Sequence, residues 1–305
     1  MVVSTIMALA LLGGQDAPQQ PPVTLPEVVV QFAPGDPVGQ FVRGITVPGE
    51  HGRYQGQVAR WDADLCVSVV GSSPEVNAWL TEQITANFRS LDVPHGKPGC
   101  EPTVAVVIST EADAFAEAFS RSNRNRIFKT RAGAVAQFLG PPRPVRWQHV
   151  TRTGPVGVDP REETLAEGFA AELGRMSNSR IMTSTARAIE QAIILVDAER
   201  ASAAPLDALA AYIAFIALVD LPPEPSAAGQ RTILSLFDET APDRPRALTR
   251  WDRAFIDALY GVTPDDLFSL QQMEIQLRMR RGLAEPAISR PDPANSPQSA
   301  PSGSD

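Results

Sequence analysis

Ala192-Ile-Ile-Leu-Val-Asp197 opens the stretch of sequence that decides the fold of this chain, and Leu206-Asp-Ala-Leu-Ala-Ala-Tyr-Ile-Ala-Phe-Ile-Ala-Leu218 completes it. The first segment is continuously apolar and rich in β-branched residues, which is typical of a strand buried on both faces. The second segment is apolar on almost every side, so it predicts a helix that is buried as a core element. A buried strand that leads into a buried helix therefore forms the centre of the domain.

The first half of the chain alternates between strand and helix patterns. Residues 65–70 and 104–108 are strand candidates, and the helix between them begins with Ser73 as N-cap and Pro74 in the first turn. A second helix, with Phe115 and Phe119 on one face, follows the second strand. This succession predicts a sheet with at least one parallel pair of strands. We expect an α+β fold, with a mixed sheet, flanking helices and a helical C-terminal part.

Other elements follow from the same patterns. Residues 144–150 alternate apolar Val145, Trp147 and the ring of His149 with polar side chains, which predicts a half-buried strand at an edge of the sheet. Further strands are expected at 28–32 and 41–47, helices at 159–176, 249–260 and 264–281, and a short turn at 232–237.

The order of the C-terminal elements resembles the catalytic half of zincin metallopeptidases, and of their metzincin branch in particular. The resemblance rests on the helix Leu206–Leu218, the turn around Leu234, and the closing segment 248–261, which ends in Leu-Tyr-Gly261. Zincins carry His-Glu-x-x-His on this helix, where the two His bind zinc and the Glu activates water. Here Ala211, Tyr212 and Phe215 stand where those residues would be. The resemblance thus implies a zincin-like fold that has lost its metal and its activity.

The remaining histidines offer no replacement for the missing ligands. His51, His95 and His149 are the three histidines of the chain, and none lies within a helical turn of another. We therefore expect no metal and no cofactor. The candidate binding residues are those near the predicted edge strand and the end of the buried strand: Trp147, His149, Arg187 and Asp197.

Cys66 and Cys100 are the only cysteines. An even pair in an exported chain predicts a disulfide, whereas two buried thiols in a cytosolic protein are the alternative. The strand pattern conflicts with this pairing. If the two predicted parallel strands started flush, the cysteines would lie about 20 Å apart, and a disulfide requires Cα atoms within about 7 Å. Either the strands are staggered or the loop before Pro102 folds back along the sheet.

The two ends of the chain differ from the middle. Residues 1–14 contain an apolar run that suits a secretory signal, although no Lys or Arg precedes it, and a frayed terminus or a misplaced start codon is the alternative. The run is too short to span a bilayer. A Pro- and Gln-rich linker is expected at 15–26, a single domain at 27–283, and a disordered tail at 284–305. The sequence thus predicts an exported protein, periplasmic or secreted, with no membrane span.

The formal net charge is −8, which argues against nucleic-acid binding because that function needs a basic face. One dense basic stretch, from Arg121 to Arg131, interrupts this acidic composition. It is a candidate site for an anion or a partner, and a solvated loop is the alternative.

These observations leave three functional hypotheses. The first is a non-catalytic protein of the cell envelope that binds a peptide or protein partner by strand addition at residues 144–150. The second is a hydrolase of a different kind, which uses a cleft near His149 and Asp197. The third is a structural protein without a specific ligand. The sequence predicts neither the oligomeric state nor the identity of a partner.

Overall fold

One five-stranded sheet organises the described part of the chain. The computed structural model describes residues 35–47, 56–128, 133–155, 185–241 and 244–284. The strands are β1 (Arg60–Trp61), β2 (Val67–Val70), β3 (Val104–Ser109), β4 (Val145–Pro155) and β5 (Thr185–Asp197). β5 is central: β3 and β1 pair with one of its edges in parallel, β4 pairs with the other edge antiparallel, and β2 pairs with β3 in parallel.

Seven α-helices are found in the described ranges. They are α1 (Pro37–Ile45), α2 (Pro74–Ser90), α3 (Ala112–Asn123), α4 (Ala134–Leu139), α5 (Leu206–Leu218), α6 (Arg250–Gly261) and α7 (Phe268–Ala284). A 3₁₀ turn at Ile233–Phe237 lies between α5 and α6. The mixed sheet with flanking helices, and the helical C-terminal part, are confirmed. None of these helices is long and apolar enough to cross a membrane.

Helix α5 is buried as the sequence predicts. Every residue from Ala208 to Leu218 is buried, and the side chain of Phe215 is completely inaccessible. The helix packs against α2 and against the 3₁₀ turn. The indole Nε1 of Trp61 donates to the carbonyl of Ala217 at 2.8 Å, and this bond ties β1 to the C-terminal end of the helix.

The sheet has a separate core on each face, because successive residues of β5 point to opposite sides. Ala192, Ile194 and Val196 belong to the larger core, with α1, α2 and α5 to α7. Ile193 and Leu195 belong to a smaller core that is formed with α3 and α4. This smaller core contains an aromatic cluster of Phe115, Phe119, Phe128 and Phe138.

The strand predicted at residues 41–47 is wrong, since this segment belongs to helix α1. Pro37 starts the helix, and its buried residues Val38, Phe41, Val42 and Ile45 follow the helical spacing of three and four. The short β-branched run from Phe41 indicates a strand when it is taken alone. When the residues from Pro37 onward are included, the spacing indicates a helix. The strand predicted at 28–32 and the helix predicted at 159–176 lie outside the described residues.

The disulfide between Cys66 and Cys100 is confirmed, with a Cα–Cα distance of 5.9 Å. The two strands do start flush, because Val67 is opposite Val104. The loop between them folds back along the sheet instead. Gly96 donates its N–H to the carbonyl of Leu65 at 2.8 Å, so the segment that carries Cys100 runs beside Cys66.

Candidate functional site

Strand β4 forms an edge of the sheet in the described part of the chain. The strand predicted at residues 144–150 is confirmed as β4, which begins at Val145, continues to Pro155 and pairs with β5 along its whole length. Val145 to Val150 are all buried, so the strand is not half-buried as the alternation indicated. The carbonyl of Pro144 accepts from the N–H of Asp197, so Pro144 faces β5. Backbone groups of successive residues alternate between the two edges of a strand. The N–H and C=O groups of Val145, Trp147 and His149 therefore point away from β5, towards the outer edge. No described strand occupies this outer edge.

Side chains partly protect the outer edge. The Nε2 of Gln148 donates to the outward carbonyl of His149 at 2.6 Å. Farther along, Arg152 forms ion pairs with Glu190 of β5 and with Asp62, which follows β1, so its charge is directed across the sheet and away from the outer edge. An internally satisfied carbonyl, such as that of His149, discourages uncontrolled pairing at a sheet edge.

A buried ion cluster lies beneath β4, on the face that packs against α5. The guanidinium Nη1 of Arg187 is 2.9 Å from Oδ2 of Asp220. The other carboxylate oxygen of Asp220 is 3.8 Å from Nδ1 of His149. The Nη2 of Arg187 donates to Oγ1 of Thr151 at 3.0 Å. Arg187, His149 and Asp220 are all buried, so the carboxylate lies between two groups that carry or can accept positive charge in a medium of low polarity.

The structure thus brings together two of the candidate binding residues, His149 and Arg187, around an acid that the sequence analysis missed. Asp220 follows the apolar helix α5 almost directly, as the second residue after Leu218. A lone carboxylate at the end of a fully buried helix must have a partner. That signal in the sequence could have identified Asp220, but not its partner.

Asp197 does not join this cluster. It lies at the opposite end of β5, where its carboxylate accepts from the N–H groups of Glu199 and Arg200 at 3.1 and 2.9 Å and pairs with the Arg200 guanidinium. Asp197 is thus the cap of the turn that follows β5. His149 lies opposite Ala192 on this strand, five residues before Asp197. The cleft expected between His149 and Asp197 is therefore not formed by these two side chains.

A second ionic network extends from the same end of the sheet. Asp113 of α3 bridges the buried Arg146 of β4 and the half-exposed Arg200. The hydrogen bond from Arg146 holds the pKa of Asp113 below its ordinary value. A carboxylate whose pKa is lowered by folding stabilises the folded state fully only at a pH above its ordinary pKa. The small contribution of Asp113 is therefore lost as the pH falls below about 4.

Trp147 of β4 belongs to the larger core and lies on the same face of the strand as His149. Its ring is buried, and the guanidinium of Arg143 lies over it, 5.7 Å from the ring centroid. The same guanidinium donates to the carbonyl of Pro223 at 3.0 Å.

Tyr212 of α5 packs edge-on against Phe237. Burial raises the pKa of Tyr212, so the phenol stays neutral.

The three residues that the resemblance in sequence aligns with zincin ligands are all core residues. Ala211 and Tyr212 are buried, and Phe215 packs against Phe255 of α6, with ring centroids 6.2 Å apart. The closing helix α6 also contacts α5 through Tyr260, whose hydroxyl donates to the carbonyl of Leu218 at 3.3 Å. The aromatic partner of Trp251 is Phe41 of α1.

Asp252 anchors the closing helix to the turn before it. Its carboxylate accepts from the N–H of Ile233 at 2.9 Å and from the N–H of Thr249 at 2.7 Å, and it also bonds the Thr232 hydroxyl. Thr249 and Asp252 form a capping box at the start of α6. Burial raises the pKa of Asp252, although the hydrogen bonds that it accepts oppose this shift.

The geometry defines an α/β protein whose parallel-dominated sheet ends in an antiparallel edge strand above a buried ion cluster. In the described ranges, no group of three His, Cys, Asp or Glu side chains is placed to hold a metal ion. No protein-family model, curated protein or solved structure matches the chain. Its function must therefore be argued from its own residues.

Proposed function

We propose that this chain is an exported, non-catalytic protein that binds an extended segment of a peptide or protein partner by strand addition to the outer edge of β4. The outward backbone of β4 is the observation that carries the proposal. Within the described residues, the outward N–H and C=O groups of Val145 and Trp147 pair with no other strand. An added strand would satisfy them with main-chain hydrogen bonds.

The surroundings of β4 favour a defined binding site over a general adhesive edge. Val145 to Val150 are all buried, so this half of the strand is fixed in position and a partner would have to displace what covers its outer edge, whereas Thr153 at the far end is exposed and gives a partner strand its first access. A rigid edge costs little ordering entropy when a partner binds, and this raises affinity.

We also propose that the fold derives from a zincin-type metallopeptidase that has lost its metal. One arrangement supports this kinship: an antiparallel edge strand lies beside the strand that leads into α5. If the kinship holds, the buried Ala211, Tyr212 and Phe215 replace the metal ligands. Apolar side chains cannot bind zinc or activate water. The kinship therefore favours binding over catalysis.

Export is part of the same proposal. The disulfide between Cys66 and Cys100 is of the kind that persists in oxidising compartments such as the periplasm or the extracellular space. The apolar run in residues 1–14, which lies outside the described residues, would provide the signal. Together these two features support a periplasmic or secreted location.

The proposal is tested by selecting extended peptides from a displayed random library on the purified protein. We expect the selected peptides to slow amide hydrogen exchange at Val145 and Trp147. Thr153 is exposed and also faces outward, so Thr153→Pro removes one outward amide and leaves the pairing with β5 intact. The loss of one hydrogen bond should weaken binding about fivefold.

Thr153→Val is the matched control, because it keeps the amide and the β-branched shape, and it should bind like the wild type. The proposal fails if the selected peptides leave the exchange of both amides unchanged, or if Thr153→Pro and Thr153→Val bind them equally well. A library that yields no binder at all contradicts it too, and favours a structural protein without a ligand.

The buried ion cluster favours a hydrolase as the second candidate function. A carboxylate beside His149, such as Asp220, is the kind of group that orients a catalytic imidazole. The 3.8 Å separation is longer than a hydrogen bond, and both side chains are buried, which makes a structural role the better supported one. A panel of ester and peptide substrates decides between the two: turnover that His149→Gln abolishes would establish the enzyme, and no turnover would exclude it for those substrates.

A further inference from the structure

A cleft on the opposite side of the sheet from α5 lies between helices α3 and α4. Its volume is about 420 Å³, within the range of about 300–1,000 Å³ that small-molecule sites occupy. Residues of both helices line it: Glu117, Ser120, Arg121, Arg124, Val135 and Leu139. It includes the beginning of the basic stretch that the sequence analysis identified, and the binding proposed for β4 makes no use of it.

The two arginines of the cleft have no counter-ion among the described residues. Arg121 and Arg124 are exposed, and neither makes a hydrogen bond or an ion pair with any described residue. Arg121 lies in the last turn of α3, and Arg124 is the C-cap residue of that helix with a helical backbone conformation, so both guanidiniums lie on the same side of this end of the helix. Glu117 is the one acid among the described lining residues, which together carry a net charge of about +1.

The cleft also contains a polar group that lacks a partner. Ser120 is only 3% exposed, and its hydroxyl has no hydrogen-bond partner in the structure. A buried hydroxyl without a partner costs about 1–3 kcal/mol. This cost is the second sign, after the unpaired guanidiniums, that the cleft is built for a polar ligand group.

The opposite wall of the cleft is apolar. Val135 is half-buried, and Leu139 is 38% exposed, which makes it one of the few large hydrophobic side chains on the described surface. Beneath them lies the aromatic cluster of the smaller core. A ligand in the cleft would therefore meet cationic groups on α3 and aliphatic carbon on α4.

We propose that the cleft between α3 and α4 binds a small amphiphilic carboxylate, with its anionic head on Arg121 and Arg124 and its aliphatic body against Val135 and Leu139. A net charge of about +1 matches a singly charged head better than a doubly charged phosphate, and guanidiniums bind carboxylates through paired hydrogen bonds. The apolar wall distinguishes such a ligand from a simple anion.

Octanoate is a suitable probe, titrated into the purified full chain and followed by calorimetry and by NMR shifts of α3 and α4 amides. We expect octanoate to bind at least about tenfold more tightly than acetate, which lacks the apolar body, and than octan-1-ol, which lacks the charge. The double variant Arg121→Gln/Arg124→Gln should bind octanoate at least about tenfold more weakly than the wild type.

Arg89→Gln, which alters an exposed arginine on α2, is the matched control and should leave the affinity unchanged. Ser120→Ala should leave the free protein as stable as before, or more stable, and should weaken octanoate binding. Equal affinities for octanoate and acetate would reduce the site to a simple anion site and overturn the proposal. So would an unchanged affinity in the double arginine variant. Because β4 plays no part in either readout, failure here leaves the strand-addition proposal untouched.

Discussion

Asp220→Ala is expected to lower the free energy of unfolding by about 3–5 kcal/mol, because it leaves Arg187 buried without its carboxylate. Both side chains are nearly inaccessible, with 6% of Arg187 and 3% of Asp220 exposed. Removing one partner of a buried pair therefore leaves a charge that water cannot solvate. Denaturant unfolding at neutral pH measures the effect as a shift in midpoint at constant slope.

Asp207→Ala is the matched control at the other end of α5. Asp207 also faces an arginine, Arg246, at 3.4 Å, but the two side chains are 52% and 68% exposed. An exposed ion pair contributes about 0–1 kcal/mol, so this variant should remain close to the wild type. If the two substitutions cost the same, the cluster beneath β4 is not the buried, mutually dependent group that the structure shows.

A compensating variant separates charge burial from the loss of packing. Arg187→Met/Asp220→Leu removes both charges and replaces them with apolar groups, so no buried ion is left uncompensated by its partner. We expect the double variant to be more stable than Asp220→Ala alone. An unfolding free energy below that of the single variant would mean that the contacts of Arg187, including the hydrogen bond to Thr151, matter more than its charge.

Removal of the disulfide should have an effect of similar size. Cys66 and Cys100 are separated by 34 residues, and closing a loop of this length stabilises a fold by about 4 kcal/mol in the chain-entropy model. We expect Cys66→Ala/Cys100→Ala to lose about that amount. The wild type in a thiol reductant should fall to the same unfolding midpoint.

The double variant is its own control, because reductant should not change its unfolding midpoint. The loop would then be held by its backbone bonds alone, such as the one from Gly96 to Leu65. A reduced wild type that keeps its full stability would show that these bonds suffice and that the disulfide adds nothing. In that case the argument for an oxidising compartment would also lose its support.

Local patterns predicted those elements whose signal lies within one stretch of chain. Helix α5 has the bounds that its sequence predicts, and the cap at Ser73 is confirmed by the bond from the N–H of Val76 to its hydroxyl. The edge strand β4 was predicted from its alternation, and the disulfide from the cysteine count. In each case a local signal is sufficient to predict the feature: the period of the hydrophobic residues, the cap residue, or the presence of a single pair of cysteines.

The error at residues 41–47 has a different cause. The β-branched Val42 and Ile45 suit a strand as well as a helix, and the helical spacing becomes visible only when the pattern is extended back to Pro37. Phe41 of α1 packs against Trp251 and Phe255 of α6, more than two hundred residues away in the sequence. A pattern read within a single window contains no information about that contact.

The sequence by itself determined that the chain has a buried strand and helix at its centre, an edge strand and one disulfide, because each depends on neighbouring residues or on a unique pair. Only the tertiary structure decided that His149 and Arg187 meet at Asp220, that Asp197 caps a turn, and that two arginines at the C-terminal end of α3 line a cleft with α4. Those placements depend on register and packing between distant segments, and burial makes a charge dependent on whichever partner the fold brings to it.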